Sequence, residues 1–161
     1  RVYYELTFED LRKHLVDAWV YDADHLAGID FAALTKSGKH GITIEYQHIG
    51  ARSQSHTTYT SGMTNDGLTL GTPLGPDSWS LYASGRIELL RLRLWPWIEF
   101  VRRSSDKYVF VDYGPIYRSK YCNEETRVRF GARAQMMLRR NLRADARALC
   151  DFMAEFRRTH G

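Results

Sequence analysis

The stretch RIELLRLRLWPWIEFVRRSSDKYVFVDYG, residues 86–114, decides the predicted fold. In its first part leucines and arginines alternate along the chain: Leu90, Arg91, Leu92, Arg93, Leu94. A period of two points the leucines to one side of a β-strand and the arginines to the other. Two further apolar runs, 97–101 and 108–113, lie on either side of the polar turn 103–107. The pattern predicts a β-meander with one arginine-bearing face in water and one dry face that needs a cover.

The end of the chain predicts that cover, because apolar residues recur there at helical spacing: Leu138, Leu142, Leu149, Met153, Phe156. Such spacing places these side chains on one face of a helix, which we expect to begin between Glu125 and Ala132. Burying the stripe contributes about 1.5–3 kcal/mol per large side chain before conformational entropy is subtracted. The predicted fold class is therefore α+β, an antiparallel sheet of about six strands packed by a C-terminal amphipathic helix.

A short N-terminal helix and several strands complete the predicted fold. Thr7 can cap this helix, in which Leu11, Leu15 and either Ala18 or Trp19 recur at helical spacing. Asn65-Asp66-Gly67 has the composition of a hairpin turn. From alternation and flanking turn residues, strands are predicted at 29–34, 41–50, 57–60, 68–70 and 79–83.

Length and composition indicate a globular chain. Of the 161 residues, 43% are hydrophobic and 13% aromatic, more than a disordered chain carries. We expect a single domain, residues 1–161, excised from a longer protein, because the chain enters a structured pattern directly at Arg1. No run approaches the ~20 apolar residues of a membrane span, so no membrane partner is predicted. Cys122 and Cys150 lack Cys-x-x-Cys spacing, which favours an intracellular compartment, the nucleus or the cytoplasm.

Positive charge is concentrated near the C-terminus. The formal net charge is +4, and from Asn123 onward nine arginines stand against five acidic residues, an excess that equals the whole net charge. This distribution is typical of a surface for nucleic acid or an acidic partner, and also of a solvated helix face. In the nucleic-acid interpretation, seven arginine side chains contact the RNA or DNA backbone: Arg91, Arg93, Arg102, Arg103, Arg139, Arg140 and Arg143.

Motifs for catalysis or cofactor binding are not found in the sequence. It contains no P-loop, no G-x-G-x-x-G, no G-x-S-x-G and no H-E-x-x-H pattern. His40, His48 and His56 are evenly spaced, but a strand would separate the first two by roughly 25 Å, too far to share a metal ion. Asp22-x-Asp24-His25 follows a predicted helix end and fits a turn. We predict no enzyme activity, no cofactor and no metal, with a site assembled in space from distant residues left open.

The run WVYDADHLAG, residues 19–28, continuing to GITI, residues 41–44, resembles the opening of a polo box. In that family a Trp-Val pair is followed by a short polar turn, a strand and a glycine-led second strand at similar distances. The resemblance implies a six-stranded antiparallel sheet covered by a C-terminal helix. It also implies a function in binding protein segments, often phosphorylated, that targets kinases to centrosomes and kinetochores. Divergent versions occur in the kinetochore kinases of kinetoplastids.

By this resemblance, Trp19 matches the tryptophan that packs against a bound peptide, and the stretch 55–58 matches the phosphate-gripping segment. Thr58 stands where the family has lysine, so half of the phosphate grip is missing. We predict a non-catalytic interaction module for targeting or assembly that binds a protein or peptide segment. The candidate contacts are Trp19, His56 and Arg52. The alternative is a nucleic-acid-binding domain that uses the arginine-rich C-terminal helix and the strand arginines.

Overall fold

The structure is a computed structural model, which describes residues 1–8, 19, 22–50, 64–65, 68–69, 74–75, 77–104, 107–109, 117–119, 124–139 and 142–156. In chain order its strands are β1 (Val2–Phe8), β2 (Ala23–Phe31), β3 (His40–Ile49), β4 (Thr64–Asn65), β5 (Leu68–Thr69), β6 (Ser78–Leu89), β7 (Leu92–Ser104), β8 (Lys107–Val109), β9 (Tyr117–Ser119), β10 (Glu124–Arg139) and β11 (Leu142–Phe156). Seven of them form one sheet in the order β1-β2-β3-β6-β7-β10-β11, with every neighbouring pair antiparallel. The hairpins β4–β5 and β8–β9 form separate two-stranded sheets.

The predicted C-terminal helix is wrong. Residues 124–139 and 142–156 are the two strands of a long antiparallel hairpin, β10 and β11. The described residues contain strands and turns but no α-helix. The α+β class is therefore wrong for this part of the chain, and the main sheet has seven strands rather than about six.

A second periodicity in the same sequence accounts for the hairpin. Between 142 and 156 the even positions hold only Leu, Ala, Cys and Phe, whereas all charged residues stand at odd positions. In a strand this pattern puts every charge on one face. Those charges find partners across the hairpin, because Arg127 pairs with Asp151 and Arg133 with Asp145. Such pairs join residues 24 and 12 positions apart, so the local spacing of leucines does not reveal them.

Of the remaining sequence predictions, some are confirmed, one is wrong and others lie outside the described residues. The strand at 41–50 is confirmed as β3, and the hairpin around Asn65 is confirmed by the pairing of Asn65 with Leu68. Thr7 lies inside β1 rather than at a helix cap. The rest of the N-terminal helix prediction, 9–18, and the predicted strand 57–60 lie outside the described residues.

The predicted meander is correct in the alternation of Leu92, Arg93 and Leu94 but wrong in its strand boundaries, because Leu90 and Arg91 form the turn between β6 and β7. β6 continues to Leu89, and β7 runs from Leu92 through Pro96 to Ser104 without a break. Pro96 fits inside the sheet because it faces Gly85, where a side chain would approach the proline ring to 3.3 Å. The predicted third strand is not part of this sheet. Its first residues form β8, which pairs with β9, and β10 lies beside β7 instead.

The strand register separates the side chains of the main sheet into two faces. We call one the apolar face; across the sheet it carries Tyr4, His25, Tyr46, Trp79, Phe100, Phe130 and Phe152. We call the other the polar face; it carries Tyr3, Glu45, Tyr82, Glu99, Arg129 and Asp151. The leucine–arginine alternation of β7 follows this division, with Leu92 and Leu94 on the apolar face and Arg93 on the polar face.

The buried core of the described residues is a small cluster of Ile49, Leu74 and Val101. Ile49 and Val101 belong to the polar face, at the end of the sheet where β6 begins. The chain before β6 is held there because the Ser78 hydroxyl donates to the Gly75 carbonyl oxygen at 2.6 Å. Among the described residues, no helix has both the length and the apolar character that crossing a membrane requires.

Candidate functional site

The apolar face is exposed from one edge of the sheet to the other. Val2 in β1 is 78% exposed, Ile44 in β3 41%, and Phe152 in β11 63%. Between them lie further exposed large side chains: Tyr4, Phe31, Tyr46, Leu81, Leu89, Ile98, Phe130 and Met136. Monomeric proteins rarely expose continuous apolar patches beyond a few hundred Å², and larger ones mark contact surfaces. The apolar face is therefore the candidate functional surface.

A row of rings crosses this face at one end of the strands. The ring centroids of Tyr4 and His25 are 6.2 Å apart, and those of His25 and His48 are 5.7 Å apart. His48 stands directly opposite Trp79, whose ring centroid is 5.2 Å from that of Phe100. Ring pairs at these separations attract one another, so the row is an ordered surface rather than a set of independent side chains.

Trp19 is attached to this row through His25. The two ring centroids are 5.0 Å apart, and the Trp19 side chain is 49% exposed. His25 Nε2 lies 2.9 Å from the Trp19 carbonyl oxygen, and Nδ1 lies 2.7 Å from the Tyr4 hydroxyl. A carbonyl oxygen only accepts, so Nε2 donates to it, and the Tyr4 hydroxyl bonds to the other ring nitrogen, Nδ1. The indole is thus positioned by main-chain and ring contacts while one side of it stays open.

His48 has its pKa lowered from the ordinary value of 6.5, first by partial burial and second by the neighbouring His25. Asp77 and Asp24 act in the opposite direction without cancelling these effects. The neutral imidazole is therefore favoured in the folded protein. This suits a position between the rings of His25 and Trp79, where a charge would be partly removed from water.

The lowered pKa of His48 predicts that the protein loses stability as the pH falls below about 6.5. In that range the unfolded chain binds the proton more readily than the folded chain does, so the free energy of unfolding declines until the folded-state pKa is passed. Urea unfolding between pH 5 and pH 8 measures the slope. His48→Gln is expected to reduce that slope, and an equal slope in the variant would contradict this assignment.

On the polar face, Tyr3 reaches across β2 to bond with Glu45 in β3. Its ring lies over Gly28, where an added Cβ would come within 2.2 Å of the ring. The hydrogen bond to the Glu45 carboxylate, followed by burial, raises the pKa of Tyr3 to about 12. Gly28 is therefore required for a contact that joins the first three strands of the sheet.

Several arginines on the rest of the polar face pair with carboxylates. Arg129 Nη2 lies 2.5 Å from Glu99 Oε2, and Arg133 Nη2 lies 2.6 Å from Asp145 Oδ2. The guanidinium of Arg133 also stacks over Trp95, 5.4 Å from the ring centroid. The hydrogen bonds from these arginines lower the pKa values of Asp145 and, through Arg127, of Asp151. Much of the C-terminal positive charge is thus balanced within the hairpin.

The residues predicted to bind nucleic acid do not form one surface. Arg91, Arg93, Arg139 and Arg143 lie near the end of the sheet where β7 and β11 begin and β10 ends. Arg102 and Arg103 lie roughly 30 Å away along β7, and Arg102 pairs with Glu124. Arg140 lies outside the described residues. The helix that was to present the C-terminal arginines is absent from the described ranges, so this part of the prediction is wrong.

Of the predicted partner contacts, the structure describes Trp19 and places it beside the apolar face. His56 and Arg52 lie outside the described residues. Sequence reasoning missed His25 because it interpreted Asp22-x-Asp24-His25 as a turn. Asp24 and His25 lie inside β2 instead, and Asp24 Oδ1 accepts a hydrogen bond at 3.0 Å from the Gly50 amide at the end of β3. The period-two alternation between Ala23 and Phe31 was the available signal.

His40 and His48 lie near opposite ends of β3, as predicted. In the described strands and turns, no three His, Cys, Asp or Glu side chains converge as a metal site requires.

Comparisons with protein-family models, with curated proteins and with solved structures gave no match to this chain.

Proposed function

We propose that this chain is a non-catalytic interaction module that binds a segment of another protein on its apolar face. The observation that carries the proposal is the continuous exposed apolar surface from Val2 to Phe152, with the ring row and Trp19 at one end. The polo-box resemblance supports the same class of function, because it implies segment binding beside the residue that matches Trp19.

The partner segment that fits this face is an amphipathic helix with an apolar stripe. The backbone groups of the inner strands are already bonded to neighbouring strands, so an occupant of the face gains no main-chain hydrogen bonds from it. A helix satisfies its own backbone and presents side chains alone. Apolar side chains are needed because the arginines and carboxylates described above lie mostly on the opposite face.

An intracellular compartment belongs to this proposal. Cys150 is a free and exposed thiol, and it occupies an even position of β11 on the apolar face. Exposed free thiols persist in reducing compartments and oxidise in secreted proteins. Neither the nucleus nor the cytoplasm is preferred by this argument.

The test uses a matched pair of variants on one strand. Phe152 and Met153 are 63% and 61% exposed, yet they point to opposite faces of β11. The probe is a fluorescent synthetic amphipathic helix with leucines on one side and mixed lysine and glutamate on the other. Fluorescence anisotropy is expected to give a Kd on the order of micromolar. Phe152→Asp should weaken binding by about tenfold or more, whereas Met153→Asp should leave it nearly unchanged.

Equal loss in both variants, or no binding of the helix, would contradict the proposal. A single-stranded oligonucleotide in parallel distinguishes the nucleic-acid alternative, because binding to phosphates weakens steeply between ~50 and ~200 mM salt. Binding of the oligonucleotide alone would replace the proposal. Capture from lysate with wild type and Trp19→Ala, read by mass spectrometry, then identifies natural partners.

A further inference from the structure

The strand β11 lies at one edge of the main sheet and has a single neighbour, β10, among the described strands. The outer backbone groups of an edge strand are a template for pairing with a further strand. With 15 residues, β11 is longer than the usual 3–10 residues of a strand. Long edges are usually protected by a bulge, a proline or a cover, yet the bulge of this hairpin lies at its turn end, between Met137 and Arg139.

We propose that β11 pairs with β11 of a second copy of this chain, antiparallel and centred on Leu149. Leu149 is the middle residue of Leu142–Phe156, so this register pairs the strand along its whole length. A two-fold axis perpendicular to the sheet at Leu149 generates the pairing, which is the symmetry of most protein homodimers. The proposal concerns the sheet edge and does not depend on what binds the apolar face.

The charges of β11 are complementary to themselves in this register. Arg147 stands opposite Asp151 of the second copy, and Arg143 stands opposite Glu155 of the second copy. The two-fold axis repeats each pair, and cross-strand pairs of opposite charge favour antiparallel pairing. The Arg147 side chain is 75% exposed in the single chain, so it can reach across the edge.

Neighbouring registers are less favourable, because they place like charges opposite one another or misalign the faces of the two sheets. Moving the centre to Ala148 places Asp145 opposite Asp151, and moving it to Cys150 places Asp145 opposite Glu155. A centre at Arg147 or Asp151 sets that residue opposite its own copy. Registers that pair even with odd positions turn the apolar face of one copy to the same side as the polar face of the other. The charge pairs and the alignment of the two apolar faces therefore favour the register centred on Leu149.

The dimer also extends the apolar face. Ala146 stands opposite Phe152 of the second copy, and Ala148 stands opposite Cys150 of the second copy. Both pairs consist of even-position residues, which lie on the apolar face. The two seven-stranded sheets thus join into one continuous sheet, with the small Ala146 making room for the large ring.

Sedimentation velocity on the full chain tests this assembly. The wild type is expected to sediment at twice the monomer mass of 18.7 kDa. Arg143→Glu and Glu155→Arg should each weaken the dimer by about tenfold, because each places like charges opposite one another in both symmetric pairs. The double variant restores opposite charges and should recover the dimer. A monomer throughout, or a dimer unaffected by either single change, overturns the proposal.

A cross-link tests the register itself. With Cys122→Ser in the background, Ala148→Cys places its thiol opposite Cys150 of the second copy, at the Cβ separation of ~4.5–5.5 Å for directly opposed residues. Oxidised glutathione should then convert the variant to a covalent dimer. Ala144→Cys, which stands opposite Ala154, is the matched control and should stay monomeric on a denaturing gel. Equal cross-linking of both variants would overturn the register.

Discussion

Gly131→Ala is expected to destabilise the protein by about 1–3 kcal/mol, although it adds a single methyl group. A Cβ at this position would lie 2.4 Å from the Ala148 carbonyl oxygen in β11 and 3.0 Å from Trp97 Nε1 in β7. The nearest obstacle is backbone, which moves only if the β10–β11 pairing shifts. Gly131 therefore allows three neighbouring strands to approach closely.

Urea unfolding of wild type and Gly131→Ala measures the effect. Gly85→Ala is the matched control, because its nearest neighbour is the Pro96 ring at 3.3 Å rather than a carbonyl group. We expect the control to change stability much less. A gain in stability from Gly131→Ala would contradict the strand at this position, because alanine in place of glycine stabilises a helix interior by roughly 1 kcal/mol.

Ile49→Ala is expected to cost about 2–5 kcal/mol of stability. Ile49 is 1% exposed and belongs to the buried cluster with Leu74 and Val101, so alanine leaves a cavity among residues that the strands hold in place. Because the core of the described residues is small, removing the side chain of one of its members is expected to cost a large share of the stability.

Ile44→Ala is the matched control for Ile49, since it makes the same chemical change in the same strand. Ile44 lies on the apolar face and is 41% exposed, so a loss of less than about 1 kcal/mol is expected. Thermal or urea unfolding compares the two variants directly. Similar losses would show that the apolar face is as buried as the cluster and would contradict the exposed surface on which the proposed function rests.

The part of the fold that the sequence predicts correctly is the part governed by local alternation. Residues 41–50 alternate between apolar and polar side chains and form β3, and the alternation around Leu92 sets the faces of β7. Both patterns repeat within a few residues, so no knowledge of distant neighbours is needed.

The C-terminal hairpin could not be predicted in the same way because its sequence satisfies two periods. The apolar residues Leu138, Leu142, Leu149, Met153 and Phe156 are spaced four, seven, four and three positions apart, which suits a helix. What distinguishes the strands is the pairing of Arg127 with Asp151 and of Arg133 with Asp145. These contacts depend on which strands become neighbours, and tertiary context overrides helix propensity.

One residue of the candidate site could be predicted from the sequence. The polo-box resemblance singled out Trp19 as a partner contact, and its indole is 49% exposed beside His25. The ring row was not predicted, because its members come from five strands and meet only through the register. The exposed face was also not foreseen, since the predicted helix was assigned to cover it.

The central structural claim is that residues 124–139 and 142–156 pair as antiparallel strands within one sheet. Nuclear Overhauser effects between backbone protons of β10 and β11 test it most directly. The structure predicts cross-strand effects, Hα to Hα or amide to amide, between opposed residues such as Val128 and Phe152, and Ala134 and Ala146. Effects confined to residues three and four positions apart within 142–156 would show a helix and contradict the fold, the exposed apolar face and the proposed dimer edge together.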